Sequence, residues 1–365
     1  MGKLTGWKPV VLLFITTLTA WGISGCGQEQ SNDVVATVTA KEKALKKSTD
    51  EPTLAQLVDT YGDLGLVDAH NHDASDNQYD RTFRIWEQDR IAHVVLFGDV
   101  SERSAIRTDA NSWSAYQSNP DFYIPYFSGF DLHSSTSLDD IKDKLEKGYF
   151  GLGEVVGAST NSPVVSRVEW KAFDPMDGYL PQIYDLIAEY KAPILLHIDP
   201  PNGTPVAKLE QAMKEHPDTI FIFAHINAYN SSQEVDRLLS TYPNLYADFF
   251  AGFTVYNPSG GNTENFIDVM KKHPDRFMLS TDSGYGLEGG EEKAIDAMYR
   301  ILYLLDDPKI ARMIAQDNLM KLIHEQPATA TQLKAIKELE QRTGKTFNKE
   351  GLSKREAGII LAEEH

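Results

Sequence analysis

The sequence predicts an α/β fold, a (β/α)8 barrel with a disordered N-terminal tether and a small C-terminal helical appendage. Eight short apolar or β-branched runs alternate with longer segments of helical period, the pattern of a parallel sheet with crossover helices. These units fill roughly 250 residues, the size of a closed barrel rather than of a doubly wound sheet with fewer strands. Several helical segments end in His-Pro or Tyr-Pro, where proline halts the helix before the next strand.

The chain has 365 residues, enough for a full core, and a formal net charge of −18, which excludes nucleic-acid backbone and anionic lipid as main partners. Lys3 and Lys8 precede the uncharged run VVLLFITTLTAWGISG, too short for a comfortable membrane span but suited to an export signal. That run ends in ISGC, which resembles the lipobox of bacterial lipoproteins and makes Cys26, the sole cysteine, the expected lipidated residue. Residues 1–25 then form a signal peptide and the working part lies in the cell envelope, held to the membrane by its lipid. Gly27 after the cysteine resembles the Gram-negative pattern that favours the outer membrane. Residues 26–52 are polar and without apolar periodicity, so a flexible tether is expected.

The barrel, residues 53–326, opens with a short helix started by Thr53. Its strands read GLVDAH, IAHVVLFG, FYIPYFSGF, GYFGLGEVVG, APILLHID, TIFIFAHIN, NLYADFF and RFMLSTDSG. Between the later ones lie SLDDIKDKLEKG, MDGYLPQIYDLIAEYK, PVAKLEQAMKEHP, SQEVDRLLSTYP and NTENFIDVMKKHP as helices, and EEKAIDAMYRILYLL and DPKIARMIAQDNLMKLIHEQP close the last unit. Residues 327–365 offer two amphipathic helices around a glycine turn, too small to bury much alone, and so either docked or tethered.

Barrel chemistry sits at the C-terminal ends of the strands. Those ends carry His70 and His72, Glu154, His197, His225 and Asp282, all metal-ligand types. His70 and His72 are two apart, so in extended chain they share a face and can bite one cation. Imidazoles with a carboxylate suit zinc, with manganese or iron as alternatives, and one or two ions; a bound cation makes water a better nucleophile near neutral pH. Asp282 could take that water's proton. His93, His133, His216 and His273 lack this context and read as structural or surface residues.

DAHNH, the strand-5 His197, the strand-6 His225 and STDSG with Asp282 resemble the amidohydrolase superfamily of metal-dependent hydrolases. The closing IAQDNLMKLI with Asn318 is most similar to its amidohydrolase-related (amidohydrolase 2) branch, which includes decarboxylases and lactonases. The resemblance implies that His70, His72 and Asp282 hold the first metal, with Asp282 also the proton shuttle. It makes His197 a further ligand, and His225 either a ligand of a second ion or the residue that orients water or polarises the substrate. Strand 4 departs from the superfamily's common modified lysine: Glu154 there resembles the TatD-type hydrolases, and it could bridge two ions, bind one, hydrogen-bond from behind, or pair with an arginine.

The expected activity is hydrolysis of an amide, ester or lactone in a small organic molecule. The alternatives are metal-dependent decarboxylation and a non-catalytic surface-binding lipoprotein. Tyr79, Arg81, Arg84, Trp86, Arg103, Arg107, Asp199, Asn202 and Tyr285 fall on expected mouth loops, with Arg103 and Arg107 as possible partners of a substrate carboxylate. Asp68 is expected to orient a histidine from behind.

Overall fold

In the computed structural model, which describes residues 23–200, 202–258 and 261–363 and side chains from Ser31 on, each of the eight runs becomes a strand. They are β1 (Val67–Asn71), β2 (His93–Leu96), β3 (Tyr123–Phe127), β4 (Gly151–Ala158), β5 (Ile194–Ile198), β6 (Phe221–Phe223), β7 (Leu245–Phe250) and β8 (Phe277–Ser280). The order is β1 to β8 with every ladder parallel, and β8 lies against β1, giving a (β/α)8 barrel. Helices cover the outer face and side chains fill the inner one, so β1, β3, β4 and β5 are buried throughout and read as nearly continuous apolar text.

One carboxylate ties the seam between β8 and β1. Asp68 Oδ1 accepts the Thr281 backbone N–H at 2.9 Å, and Oδ2 accepts Thr281 Oγ1 at 2.6 Å and Asn71 Nδ2 at 3.0 Å. It accepts the backbone N–H of His70 at 3.3 Å and touches no imidazole ring, which corrects its expected role as a histidine orienter. Asn318 has a similar structural use: its Nδ2 donates to the carbonyls of Pro274 and Phe277, both at 2.8 Å, pinning the last helical segment to the start of β8.

Two stretches expected as loops are helices, Tyr79–Gln88 and Arg103–Ser118. The first buries only Thr82 and Trp86, four residues apart, and the second buries Thr108, Asp109 and Ser112 among its inward positions. With about half of the inward positions polar, the 3.6-residue period is weak in an apolar pattern. The buried Asp109 is satisfied by the N–H groups of Ser128 and Gly129 and by Lys144.

The stretch expected as tether is more ordered than its composition suggests, since Ile23–Leu45 is a helix. Val38 is buried, Tyr61 Oη donates to Glu42 Oε1 at 2.7 Å, and Lys41 Nζ donates to the Asp59 carbonyl at 2.8 Å. Polar contacts to the helix Leu54–Tyr61, itself started by a Thr53–Gln56 capping box, hold it where apolar burial is scarce. The expected signal peptide falls almost wholly outside the described residues, as does the Cys26 side chain. Among the described residues no helix is long and apolar enough to cross a membrane.

The C-terminal helices, Ala330–Thr343 and Lys354–Glu363, are docked. They cover the end of the barrel opposite the strand-end histidines: Lys354 Nζ donates to the Tyr149 carbonyl at 3.0 Å and Arg355 Nη2 to Asp121 O at 2.7 Å, while Gln326 Nε2, just before these helices, donates to Phe150 O at 2.8 Å. Those carbonyls precede β3 and β4. Removing residues 328–365 is expected to lower the thermal midpoint by several degrees, because the Tyr149 carbonyl left without its Lys354 donor costs about 1–3 kcal/mol; differential scanning fluorimetry reads this, and an unchanged midpoint would contradict it.

Candidate metal centre

The six strand-end donors converge at one end of the barrel in two groups, His70, His72 and Asp282, and Glu154, His197 and His225, each with ligand atoms within 4.8 Å of one another. Glu154 joins them. Its Oε1 lies 3.0 Å from His197 Nδ1 and 3.1 Å from His225 Nε2, and its Oε2 is 3.6 Å from His72 Nε2. Asp282 Oδ1 is 3.4 Å from both His70 Nε2 and His72 Nε2.

The outer ring nitrogens decide which inner ones carry lone pairs. His70 Nδ1 meets Asp248 Oδ2 at 2.8 Å, His72 Nδ1 meets the Gly98 carbonyl at 2.8 Å, and His197 Nε2 meets Asp199 Oδ2 at 3.3 Å. Carbonyls and carboxylates only accept, so these nitrogens carry hydrogens. His70 Nε2 and His72 Nε2 therefore present lone pairs inward, 3.0 Å apart, whereas His197 has a carboxylate oxygen on both ring nitrogens, Glu154 Oε1 at 3.0 Å from Nδ1 as well as Asp199. Facing lone pairs repel unless a cation or proton lies among them, and a nitrogen and oxygen donor set with fixed outer hydrogen bonds fits a divalent metal.

The electrostatics agree. Burial alone would lower His70, but Asp282 and Asp248 outweigh it and raise it to about 10; burial likewise opposes Glu154 and Asp199, which raise His197 to about 9. Burial would raise Glu154 and Asp282, yet the imidazoles hold both below the usual carboxylate range. The centre attracts positive charge. A cation entering at pH 7.5 is expected to displace about two protons per chain, read by calorimetry in buffers of different ionisation enthalpy, and no release would contradict these pKa directions. For the metal-free chain, a folded pKa raised above the unfolded value stabilises fully below about pH 6.5 and is lost as pH rises through about 9 to 10.

Asp248 and Asp199 carry a share of the site that the sequence reading missed or misplaced. Asp248, inside the NLYADFF run of β7, holds His70 and also accepts the His225 backbone N–H at 2.8 Å. An ionisable residue within a wholly apolar strand was the signal. Asp199 is buried rather than a mouth residue, and also accepts the N–H groups of Thr160 and Ser162 at 2.7 and 2.9 Å. Asp248→Asn is expected to weaken metal binding about 10- to 100-fold by freeing the His70 ring, measured by competition with a chromophoric chelator; unchanged affinity would remove Asp248 from the site. Backbone geometry adds constraint: His225, Asp282 and Ser283 have φ of 34°, 46° and 49°, left-handed values that surrounding contacts must hold.

Other expectations are relocated. Trp86 is fully buried, its Nε1 donating to Glu291 Oε1 at 2.8 Å, so it does not line the mouth. Arg103 and Arg107 are exposed and face Glu169 and Asp76, and neither they nor Arg81, Arg84, Tyr79 and Asn202 line the cavity over the donors. Tyr285 does. His93, His133, His216 and His273 lie away from the centre, on Asp121 O, Asp177, Asp185 and Asp236 respectively.

No curated protein sequence matches this chain significantly. Among solved structures it is similar to an uncharacterised TIM-barrel protein from Bordetella bronchiseptica, at 14% identity over 70% of this chain and 97% of that one, TM-score 0.51. It is also similar to a TatD-family hydrolase from Entamoeba histolytica, at 12% identity over 71% and 97%, TM-score 0.50. A third is a dihydroxybenzoic acid decarboxylase from a Polaromonas species with bound manganese, at 12% over 71% and 96%, TM-score 0.44. At these identities the likeness speaks to the fold. The amidohydrolase family model, in contrast, matches residues 67–323, from the first strand to the last helical segment of the barrel, and the chain therefore belongs to the amidohydrolase family of metal-dependent enzymes.

Proposed function

We propose that the protein is a hydrolase that cleaves an amide, ester or lactone bond of a small organic molecule with an activated water. The observation that carries this reading is Glu154, which belongs to one donor group and lies 3.6 Å from His72 of the other, at the floor of a cavity. His70, His72 and Asp282 would hold one divalent cation, zinc being best suited to these donors, and His197 and His225 a second, with Glu154 common to both. Such cations supply Lewis acidity toward a carbonyl and lower the pKa of water.

The chain's own groups do the rest. Asp282 Oδ1, poised beside two imidazoles, takes a proton from the attacking water and returns it to the leaving group. Asp248, Asp199 and the Gly98 carbonyl keep the imidazoles in register. Decarboxylation would place a carboxylate substrate in the same cavity, whose lining among the described residues has no lysine or arginine to receive it. Metal analysis followed by a screen of esters, lactones and acylated amines, with CO2 trapping in parallel, tests the reading. Hydrolysis lost in His70→Ala supports it; CO2 release without water consumption, or no stoichiometric metal after zinc or manganese loading, would sink it.

We also propose that Cys26 is lipidated and places this activity in the cell envelope. Metabolic labelling with a fatty-acid analogue, abolished by Cys26→Ser, is the expected result; label retained in that variant would refute it.

A further inference from the structure

The cavity over the donors holds about 370 Å³, at the small end of the roughly 300–1,000 Å³ of ligand pockets. Its formal charges apart from the imidazoles are all negative. Beyond Glu154 and Asp282 the lining carries Asp99 and Glu102, and neither lysine nor arginine among the described residues. Of the nearest basic residues in sequence, Arg103 and Arg107 are exposed beside Glu169 and Asp76, Lys171 Nζ donates to the carbonyls of Ser159 and Ser166, and Arg167, next to Val168, is exposed and outside the lining.

Asp99 and Glu102 are not consumed by the fold. Ser75 Oγ donates to one oxygen of Asp99, and Ser104 Oγ donates to Glu102 Oε1 at 2.6 Å. Neither enters an ion pair with a described residue, and each keeps a second oxygen with no protein donor. The helix Arg103–Ser118 begins beside Glu102, so its partly positive end is answered by a carboxylate already in place. The remaining lining is aliphatic and aromatic, with Tyr229 and Tyr285 partly exposed and their hydroxyls without protein partners. Faces of this kind accept cations.

Charge at the floor points the same way. Glu154, Asp282, Asp199 and Asp248 total −4, enough to neutralise two divalent ions, which leaves no excess positive charge to receive an anion. A carboxylate substrate would meet Asp99 and Glu102 with nothing to offset them. A protonated amine would gain two charge-assisted partners in a setting of reduced dielectric.

We infer that the site selects substrates bearing a cationic group, a protonated amine above all, with Asp99 and Glu102 as the specificity-determining carboxylates, and that it rejects substrates bearing a carboxylate. The inference rests on the hydrolase reading of the same site. Benzylammonium and benzoate match in ring and size and differ in charge, so both are titrated calorimetrically into metal-loaded protein at pH 7.5, with metal content measured on the same sample. Benzylammonium is expected to bind at least 10-fold tighter than benzoate and to weaken with added salt. Asp99→Asn and Glu102→Gln are each expected to lower its affinity about 5- to 10-fold at unchanged metal content. Val164→Arg, which places a cation at an exposed lining position, is expected to shift the preference toward benzoate. Benzoate binding as tightly as benzylammonium, or no measurable benzylammonium binding, with metal present, overturns the inference and leaves the hydrolase reading standing. Absence of metal after loading overturns both.

Discussion

Asp282→Asn is expected to lower turnover by about 10²- to 10⁴-fold, the range that a positioned general acid–base contributes, while the chain stays folded. Asp282 follows β8, and its Oδ1 lies 3.4 Å from two imidazole nitrogens. Burial would favour its neutral form, but His70, His72 and His225 outweigh that and keep it ionised at neutral pH. Asparagine fills the same volume and can still offer an oxygen to a cation, yet it cannot receive a proton. Turnover should fall far more than metal content, with KM changing less than kcat. A variant that retains metal and turns over within tenfold of wild type would show that the proton goes elsewhere.

The largest effect on the fold is expected at Asp68. Replacing it by alanine strands the Thr281 N–H and the Thr281 hydroxyl in a buried seam, while Asn71 Nδ2 keeps Glu291 Oε1 at 3.1 Å, and at about 1–3 kcal/mol for each unsatisfied donor the loss should reach about 2–5 kcal/mol. That is a large share of the roughly 5–15 kcal/mol that holds a typical protein folded. Burial lifts the Asp68 carboxyl to about 6 despite these donors, and Asp68→Asn, which keeps one acceptor oxygen in the seam, should lose less. Urea denaturation in the presence of chelator isolates the seam from metal linkage. A loss below about 1 kcal/mol for Asp68→Ala would mean that β1 and β8 close without it.

The strand-end donors were legible because in this fold chain order is position around the barrel, and each strand delivers one end to the same face. His70 and His72 needed only a spacing of two, and His197, His225 and Asp282 only their place after an apolar run. Trp86, Arg103 and Arg107 were assigned to the mouth because their segments looked polar. Their helices turn inward on Thr82, Thr108, Asp109 and Ser112, which an apolar period does not register. The strand pattern puts Glu154 at the end of β4, but its contact with three imidazoles exists only once β1, β4, β5 and β6 are curled together.

By itself, then, the sequence determined the eight strands, their parallel order and the six candidate donor residues that share one end of the barrel, since periodicity and strand ends are local properties written along the chain. Tertiary structure alone decided which imidazole nitrogens face inward, that Asp248 and Asp199 set them, that Asp68 closes the seam, and that the cavity gathers carboxylates with no lysine or arginine among the described residues. Hydrogen-bond direction and net charge in a cavity depend on distances through space. The His70 and Asp248 side chains meet at 2.8 Å across 178 residues of chain, and no spacing within the sequence contains that number.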